Sequence, residues 1–461
     1  MVSAPLKSVT DYCKKEVMAY SSSGNKPLES ASKSNHIHLI KDPVVQDFLL
    51  NHIILNRGDD FSVDRKLLVP LNPLASDNVE FVVAIDGGRT EVPVKAKFPS
   101  STITFYQFGA NLLSVSDLRK LKDIPFISPD DISKLKELQR IKFALPTKNI
   151  GLGKNDGTRF SLTDSVRIAV YNFFKENNLL NTLKWFLFEE YKGAPTEEWI
   201  LASHPKQSNN KNIAFKRREL DREFKQADSA GILYLTDVFR FHEVVDEEVG
   251  AGGILGYIQN LFEHFILINT IRGIVKRRKD ALSKVLFIKD GPLGFFGQTA
   301  NLQIPMRNLV KHLNEIANIY LVGAEKSGPF VDHASYISTL LPEGHAFLLS
   351  NEYIYKYIKP GQANELSPYG SSSYYSGKII YKSSSSGMYV LTIPTLDSKS
   401  ILTPNSSDYL GLTVILKYID ILKSDMYDNA LLPIALVNKL VSLSDHPSSV
   451  ILEKFAKKSI L

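Results

Sequence analysis

Apolar residues in this chain gather into short runs of two kinds. Residues 79–85 and 285–289 are almost continuously apolar and stop at Asp86-Gly87-Gly88 and Asp290-Gly291. A continuous apolar run bounded by glycine is the pattern of a strand covered on both faces. Residues 319–323 repeat it and run into Ala324-Glu325-Lys326-Ser327-Gly328. Residues 92–98 and 101–108 alternate instead, which predicts antiparallel strands after a turn at Asp86-Gly87-Gly88. Tyr- and Ser-rich strands are predicted at 378–382 and 387–393, with 383–386 as the loop between them.

The helical period takes over elsewhere. It predicts helices at 44–55, 130–143, 162–177, 179–191, 254–275, 303–317, 409–424 and 432–443, with Ser161 or Thr163 as the cap of the third. Strands interleaved with helices give an α/β fold. Residues 111–250 stand apart as a mainly helical stretch with a polar segment around Lys216, Arg217 and Arg218, and read as an insertion. The organisation expected is an N-terminal segment at 1–75, a first part of the core at 76–110, the insertion at 111–250 and a second part of the core at 251–461.

Composition narrows the classes. Of 461 residues 44% are hydrophobic and 23% charged, which is globular composition. Lys and Arg number 55 against 49 Asp and Glu, a net +6 that permits a polyanionic partner without requiring one. Cys13 is the only cysteine, so internal disulfides, zinc ribbons and Fe–S sites are out. Residues 1–26 have no apolar signal run. The most apolar helix, 254–275, carries Gln259, Asn260, Glu263, His264 and Arg272; a charge at mid-membrane costs about 3 kcal/mol, so no span is expected and the protein is expected to be soluble and cytoplasmic.

Asp86 and Asp290 are the leading chemical candidates. Each follows an apolar run and precedes glycine, so two such strands side by side bring two carboxylates together; hard oxygen donors select Mg²⁺ or Mn²⁺. The alternative is that each Asp-Gly is only a turn. Glu263 lies four residues after Gln259 on one face of a buried helix, where a carboxylate needs a metal or a cationic partner such as Arg272 or a lysine. Lys326 follows the third strand and is suited to neutralising a phosphate. His36-Ile37-His38 lacks a third ligand nearby, and His333 and His345 are open between site and structural roles. There is no Gly-x4-Gly-Lys-Ser/Thr loop and no Gly-x-Ser-x-Gly elbow. Gly250-Ala251-Gly252-Gly253 follows an acidic segment rather than a strand, which argues against a dinucleotide loop.

The order of these motifs resembles the NurA nuclease family. The resemblance rests on Ala84-Ile85-Asp86-Gly87-Gly88, Phe287-Ile288-Lys289-Asp290-Gly291-Pro292-Leu293, Leu321-Val322-Gly323-Ala324-Glu325-Lys326-Ser327 and Leu432-Pro433-Ile434-Ala435-Leu436. It covers roughly 79–110 and 254–445 and leaves 111–250 unexplained. It implies an RNase H-like mixed sheet flanked by helices, bound Mn²⁺ or Mg²⁺, DNA cleavage, a homodimer and a HerA-type hexameric ATPase as partner, in DNA end processing or phage defence. Carried over, the metal-holding residues are Asp86, Glu263 (with Glu248 competing) and Asp290, the motif lysine is Lys326, and a site tyrosine is Tyr369, Tyr374 or Tyr375. Two departures stand out: Gly88 where the family commonly has Ser, and Asn438 where its last helix often carries His, a role His333 or His345 would then take.

The expected chemistry is hydrolysis assisted by one or two ions on Asp86, Glu263 and Asp290. The basic runs at 216–218 and 276–279 are expected to hold the DNA backbone. The runner-up is a catalytically inactive RNase H-like subunit that regulates an ATPase or binds DNA.

Overall fold

The computed structural model describes residues 39, 41–51, 62–75, 79–95, 97–122, 136–201, 213–228, 231–424, 430–443 and 448–459. His36 and His38 lie outside these residues. The chain divides into two units, Met1–Arg57 and Gly58–Leu461. The first contributes helix α1 (Pro43–Leu50), whose N-terminus is capped by Asp42 accepting from the backbone of Val44 at 2.8 Å.

The second unit is built on a nine-stranded mixed sheet in the order β1-β11-β12-β13-β10-β9-β2-β3-β4. Its strands are β1 (Leu68–Pro70), β2 (Phe81–Lys95), β3 (Phe98–Ser114), β4 (Lys136–Lys148), β9 (Val285–Asp290), β10 (Tyr320–Glu325), β11 (His345–Leu348), β12 (Ser376–Lys382) and β13 (Met388–Pro394). β2, β3 and β4 are antiparallel neighbours, while β9 and β10 lie parallel to β2. Taken in chain order, these five strands stand as 3-2-1-4-5, the arrangement of an RNase H-like core. The antiparallel pairs β10·β13, β13·β12, β12·β11 and β11·β1 extend it on one side.

Helices cover both faces. Helix α2 (Val115–Lys122) follows β3; α3 (Leu162–Glu176) and α4 (Leu180–Leu187) follow β4. Two small hairpins come next, β5 (Glu198–Leu201) with β6 (Ile213–Lys216) and β7 (Lys225–Asp228) with β8 (Gly231–Tyr234). Helix α5 (Leu255–Arg278) precedes β9, α6 (Gln303–Ala317) joins β9 to β10, and α7 (Pro329–Tyr336) follows β10. The chain closes with α8 (Leu412–Leu422), α9 (Leu432–Val441) and α10 (Ser448–Ser459). Val83, Ile85 and Phe287 pack with α3, α5 and α6 on one face; Val82, Ala84 and Ile288 pack with α8 and α9 on the other. The first face is cemented by rings, among them Phe173 stacked on Phe262 at 4.2 Å.

Two sequence expectations change. The helical period predicts a helix over 130–143, but 136–148 form strand β4, in which Ile141, Phe143 and Leu145 are buried and Arg140, Lys142 and Ala144 exposed. Pairing with β3 along its length outweighs the local helical spacing. Asp86-Gly87-Gly88 is also no turn: β2 runs straight through it, with Asp86 opposite Gly109 and Gly88 opposite Gln107. Both glycines are there for close packing. A Cβ on Gly87 would stand 2.7 Å from the Phe108 ring, and one on Gly88 would collide with the Val441 carbonyl oxygen.

Candidate active site

The site forms where one strand outlives its neighbour. The parallel pairing of β2 with β9 ends at Ile85↔Lys289, and β9 itself ends at Asp290. β2 continues, so Asp86 sits at the rim left by β9. Adjacent strands lie about 4.8 Å apart, and on the other flank Asp290 is in register with Ala324 of β10. Side chains alternate across a strand. Ile85 and Phe287 face α5, so Asp86 and Asp290 face α9, and Lys289 faces α5 again. The contacts agree. Asn438 of α9 donates its amide to Asp86 Oδ2 at 2.9 Å, whereas Lys289 Nζ meets Glu263 Oε2 of α5 at 2.7 Å.

Asp86, Glu263, Lys289 and Asp290 open on one cleft of about 400 Å³ that also takes in Arg89, Gln259 and Lys326. Asp86 Oδ1 accepts the Gly87 backbone N–H at 2.7 Å. Lys326 Nζ lies 2.9 Å from Asp290 Oδ2, with the lysine side chain 37% exposed. Gln259 is saturated: its Oε1 accepts from Arg89 at 2.6 Å, and its Nε2 donates to the Gly87 carbonyl at 2.5 Å and to Glu263 Oε1 at 3.2 Å. Behind this layer, His264 bonds the Asn260 carbonyl at 2.7 Å and Tyr375 OH at 3.2 Å, and burial holds its pKa well below the usual value.

Charge is crowded here. Burial, then the charges of Asp290 and Glu263, push the Asp86 carboxyl up to about 8, against the Asn438 hydrogen bond and Lys326. Burial also raises Glu263, with the Lys289 ammonium opposing. A fourth carboxylate, Glu325, lines the cleft and is paired with buried Lys378, whose own pKa is lowered by burial.

Asp86, Glu263, Asp290 and Lys326 are thus brought together, and Asn438 joins them at the last helix. His333 and Tyr369 are not: His333 bonds Tyr353 OH at 2.8 Å, and Tyr369 packs on Phe330 and Tyr374. Tyr374 packs its ring under the buried Lys378 ammonium at 4.8 Å, Tyr375 is fully buried, and His345 is on β11, three strands from β10. Glu248 is exposed in a turn with Asp246. Glu263 meets Lys289 and not Arg272, which bonds Thr182. The basic runs lie elsewhere. Lys216 is paired with Glu219, Arg217 and Arg218 with Glu197, and residues 276–278 end α5 about 20 Å along the helix from Glu263. The cations at the cleft are Arg89, Lys289 and Lys326. Lys289 was visible in the sequence as the one charge in an apolar strand; Arg89 carried no such mark.

Among the described residues no three His, Cys, Asp or Glu side chains form a ready-made cation cage. The donor chemistry nevertheless fits a hard divalent ion. Asp86 and Asp290 are oxygen donors on one face, side by side at the rim of adjacent strands and open to the cleft. No helix of the described residues is long and apolar enough to cross a membrane.

The strand order and the carboxylate rim define an α/β protein with an RNase H-like core. Among solved structures the chain is similar to the NurA nuclease from Sulfolobus solfataricus, at 10% identity over 93% of this chain and 97% of that one, with a TM-score of 0.33. It is also similar to NurA bound to dAMP and manganese (13% identity, 94% and 98% covered, TM-score 0.31) and to NurA with manganese (12%, 85% and 91%, TM-score 0.28). No family model and no curated protein matches the chain.

Proposed function

We propose that the chain is a metal-dependent deoxyribonuclease. The observation that carries this reading is the pairing of Asp86 with Asp290 on one face of adjacent parallel strands, at the rim of an RNase H-ordered sheet and inside an open cleft. In phosphodiester hydrolysis one P–O bond breaks; the water oxygen ends on phosphorus and a water proton ends on the departing oxygen. A divalent ion, Mn²⁺ or Mg²⁺, held by Asp86 and Asp290 would supply an acidified water and positive charge against the phosphate. The chain's own groups do the rest. The Gly87 N–H and the Asn438 amide fix the Asp86 carboxylate in place. Lys326, half in solvent, exchanges Asp290 for a phosphate oxygen, and Arg89 at the mouth binds the backbone of the nucleic acid without reading sequence. The resemblance adds a homodimer and a HerA-type ATPase as partner, in end processing or phage defence, to the proposal.

The test is incubation of purified protein with single-stranded and duplex DNA in Mn²⁺, Mg²⁺ or EDTA. Cleavage that needs metal and is lost in Asp290→Asn is the expected result. The second reading, an inactive regulatory or DNA-binding subunit, is favoured by the lysines already seated on Glu263 and Asp290. A gel shift without cleavage in any metal would establish it.

A further inference from the structure

Four carboxylates line the cleft, and Asp86, Asp290 and Glu263 differ in what holds them. We infer that Lys289 takes the place of a second ion: the site binds a single divalent cation through Asp86 and Asp290, and Glu263 is a positioning residue rather than a metal ligand. The inference rests on the nuclease reading above and deepens it.

Four observations point the same way. Asp86 and Asp290 project on the α9 face of the sheet, whereas Glu263 arrives from α5 on the opposite face, the face of Lys289. Both oxygens of Glu263 are committed, Oε2 to the Lys289 ammonium at 2.7 Å and Oε1 to the Gln259 amide at 3.2 Å. The Asp86 oxygens are held only by neutral N–H donors, from Gly87 and Asn438, so a cation there displaces no buried ammonium, as one on Glu263 would. The two lysines differ in freedom. The Lys289 side chain is 2% exposed and its ammonium also donates to the Asp290 carbonyl at 2.7 Å, whereas that of Lys326 is 37% exposed and can leave Asp290 for solvent or phosphate.

Pulling Glu263 onto an ion would strand a buried ammonium with one carbonyl for a partner, and leaving one member of a buried ion pair uncompensated is strongly unfavourable. The pair also has a structural task. Through Gln259, Glu263 is tied to the Gly87 carbonyl, and so to the residue beside Asp86. Lys289 and Glu263 together set where the β2 rim sits against α5, and the fixed ammonium supplies the positive charge that a second ion would bring.

Mn²⁺ binding to the full chain, without DNA, tests this by electron paramagnetic resonance of the free ion and by calorimetry. The expected result is one Mn²⁺ per wild-type chain, no measurable binding in Asp86→Asn or Asp290→Asn, and one ion still bound, at an affinity lowered by up to about tenfold, in Glu263→Gln, whose amide oxygen leaves Lys289 a neutral partner. Lys289→Met releases Glu263, and two ions per chain are then expected, a gain that a purely structural lysine would not give. Where Lys289→Met does not fold, the double variant Lys289→Met/Glu263→Gln, which removes both charges of the pair, is expected to keep one-ion binding. Two ions in the wild type would overturn the inference, as would loss of binding in folded Glu263→Gln. A wild-type chain that binds no Mn²⁺ would instead remove the nuclease reading and this inference with it.

Discussion

Replacing Asp86 by Asn should make the metal-free protein more stable while it ends catalysis. In the folded chain the Asp86 carboxyl is raised from 3.8 to about 8 by burial and by the neighbouring Asp290 and Glu263 charges. Between about pH 4 and pH 8 the native state therefore holds a proton that the unfolded chain has released. The stability contributed by the neutral carboxyl is full below pH 4, falls as pH rises through this window, and is gone above about 8. At pH 7, roughly three units above the unfolded value, the loss is on the order of 4 kcal/mol. Asn is the neutral isostere and escapes it. It gives up one of the two hydrogen bonds that Asp86 accepts, from Gly87 and Asn438, since its NH₂ faces a donor; that costs about 1 kcal/mol. The net gain is about 3 kcal/mol at pH 7 in EDTA, a rise of a few degrees in Tm for a unit of this size. Thermal unfolding of wild type and Asp86→Asn in EDTA at pH 5 and pH 8 is the assay, with a larger gap at pH 8. A variant less stable than wild type at pH 8, by the same margin as at pH 5, would refute the account of crowded charge.

Other outcomes follow from the same contacts. Gly88→Ala forces a Cβ against the Val441 carbonyl and should cost about 1–3 kcal/mol in urea unfolding. Arg167→Ala, which strips Asp237 of a guanidinium at 2.7 Å in a setting 2% exposed, should cost about 3–5 kcal/mol. Lys326→Ala should leave Mn²⁺ binding intact and lower cleavage about a hundredfold, measured as single-turnover rate on duplex DNA. Arg89→Ala should weaken DNA binding equally across sequences and reduce its salt dependence, read by titration at two ionic strengths.

Much of the centre was legible because its signals are local. The run at 285–289 ends in a true turn at Gly291, whose φ of +81° suits glycine, and the period of α5 and α6 could be read directly. The same Asp-Gly at residue 86 misled, since nothing near it in sequence reveals Phe108 or Val441. The Phe108 ring, 21 residues on from Gly87, and the Val441 carbonyl, 353 on from Gly88, are what leave no room for a Cβ there. The segment at 130–143 misled for a related reason: Leu135, Leu138 and Ile141 recur every third residue, but Ile141, Phe143 and Leu145 recur every second, and only the presence of β3 decides between them. His333 and Tyr369 carried residue types suited to a site, and no local pattern says on which side of β10 the chain folds them. The burial of Lys289 has no local signal: a lysine at a strand end ordinarily escapes to solvent, and this one is capped by α5.

The alternation of β2 also constrains how this protein can change over time. Asp86 reaches its partner aspartate only because an even number of steps separates it from Val82 and Ala84, which fasten the same face to α8 and α9. Loss or gain of one residue between Val82 and Asp86 would leave a strand of nearly the same composition and turn the carboxylate towards α5, among Phe108 and Phe262. The hairpin end past Val94, the last residue of β2 that packs with Val92 on Ala456 of α10, carries no such constraint. Relatives of this chain should therefore vary freely in the length of that tip and not at all in the spacing upstream of the aspartate, so that length variation alone marks which half of the strand holds the chemistry.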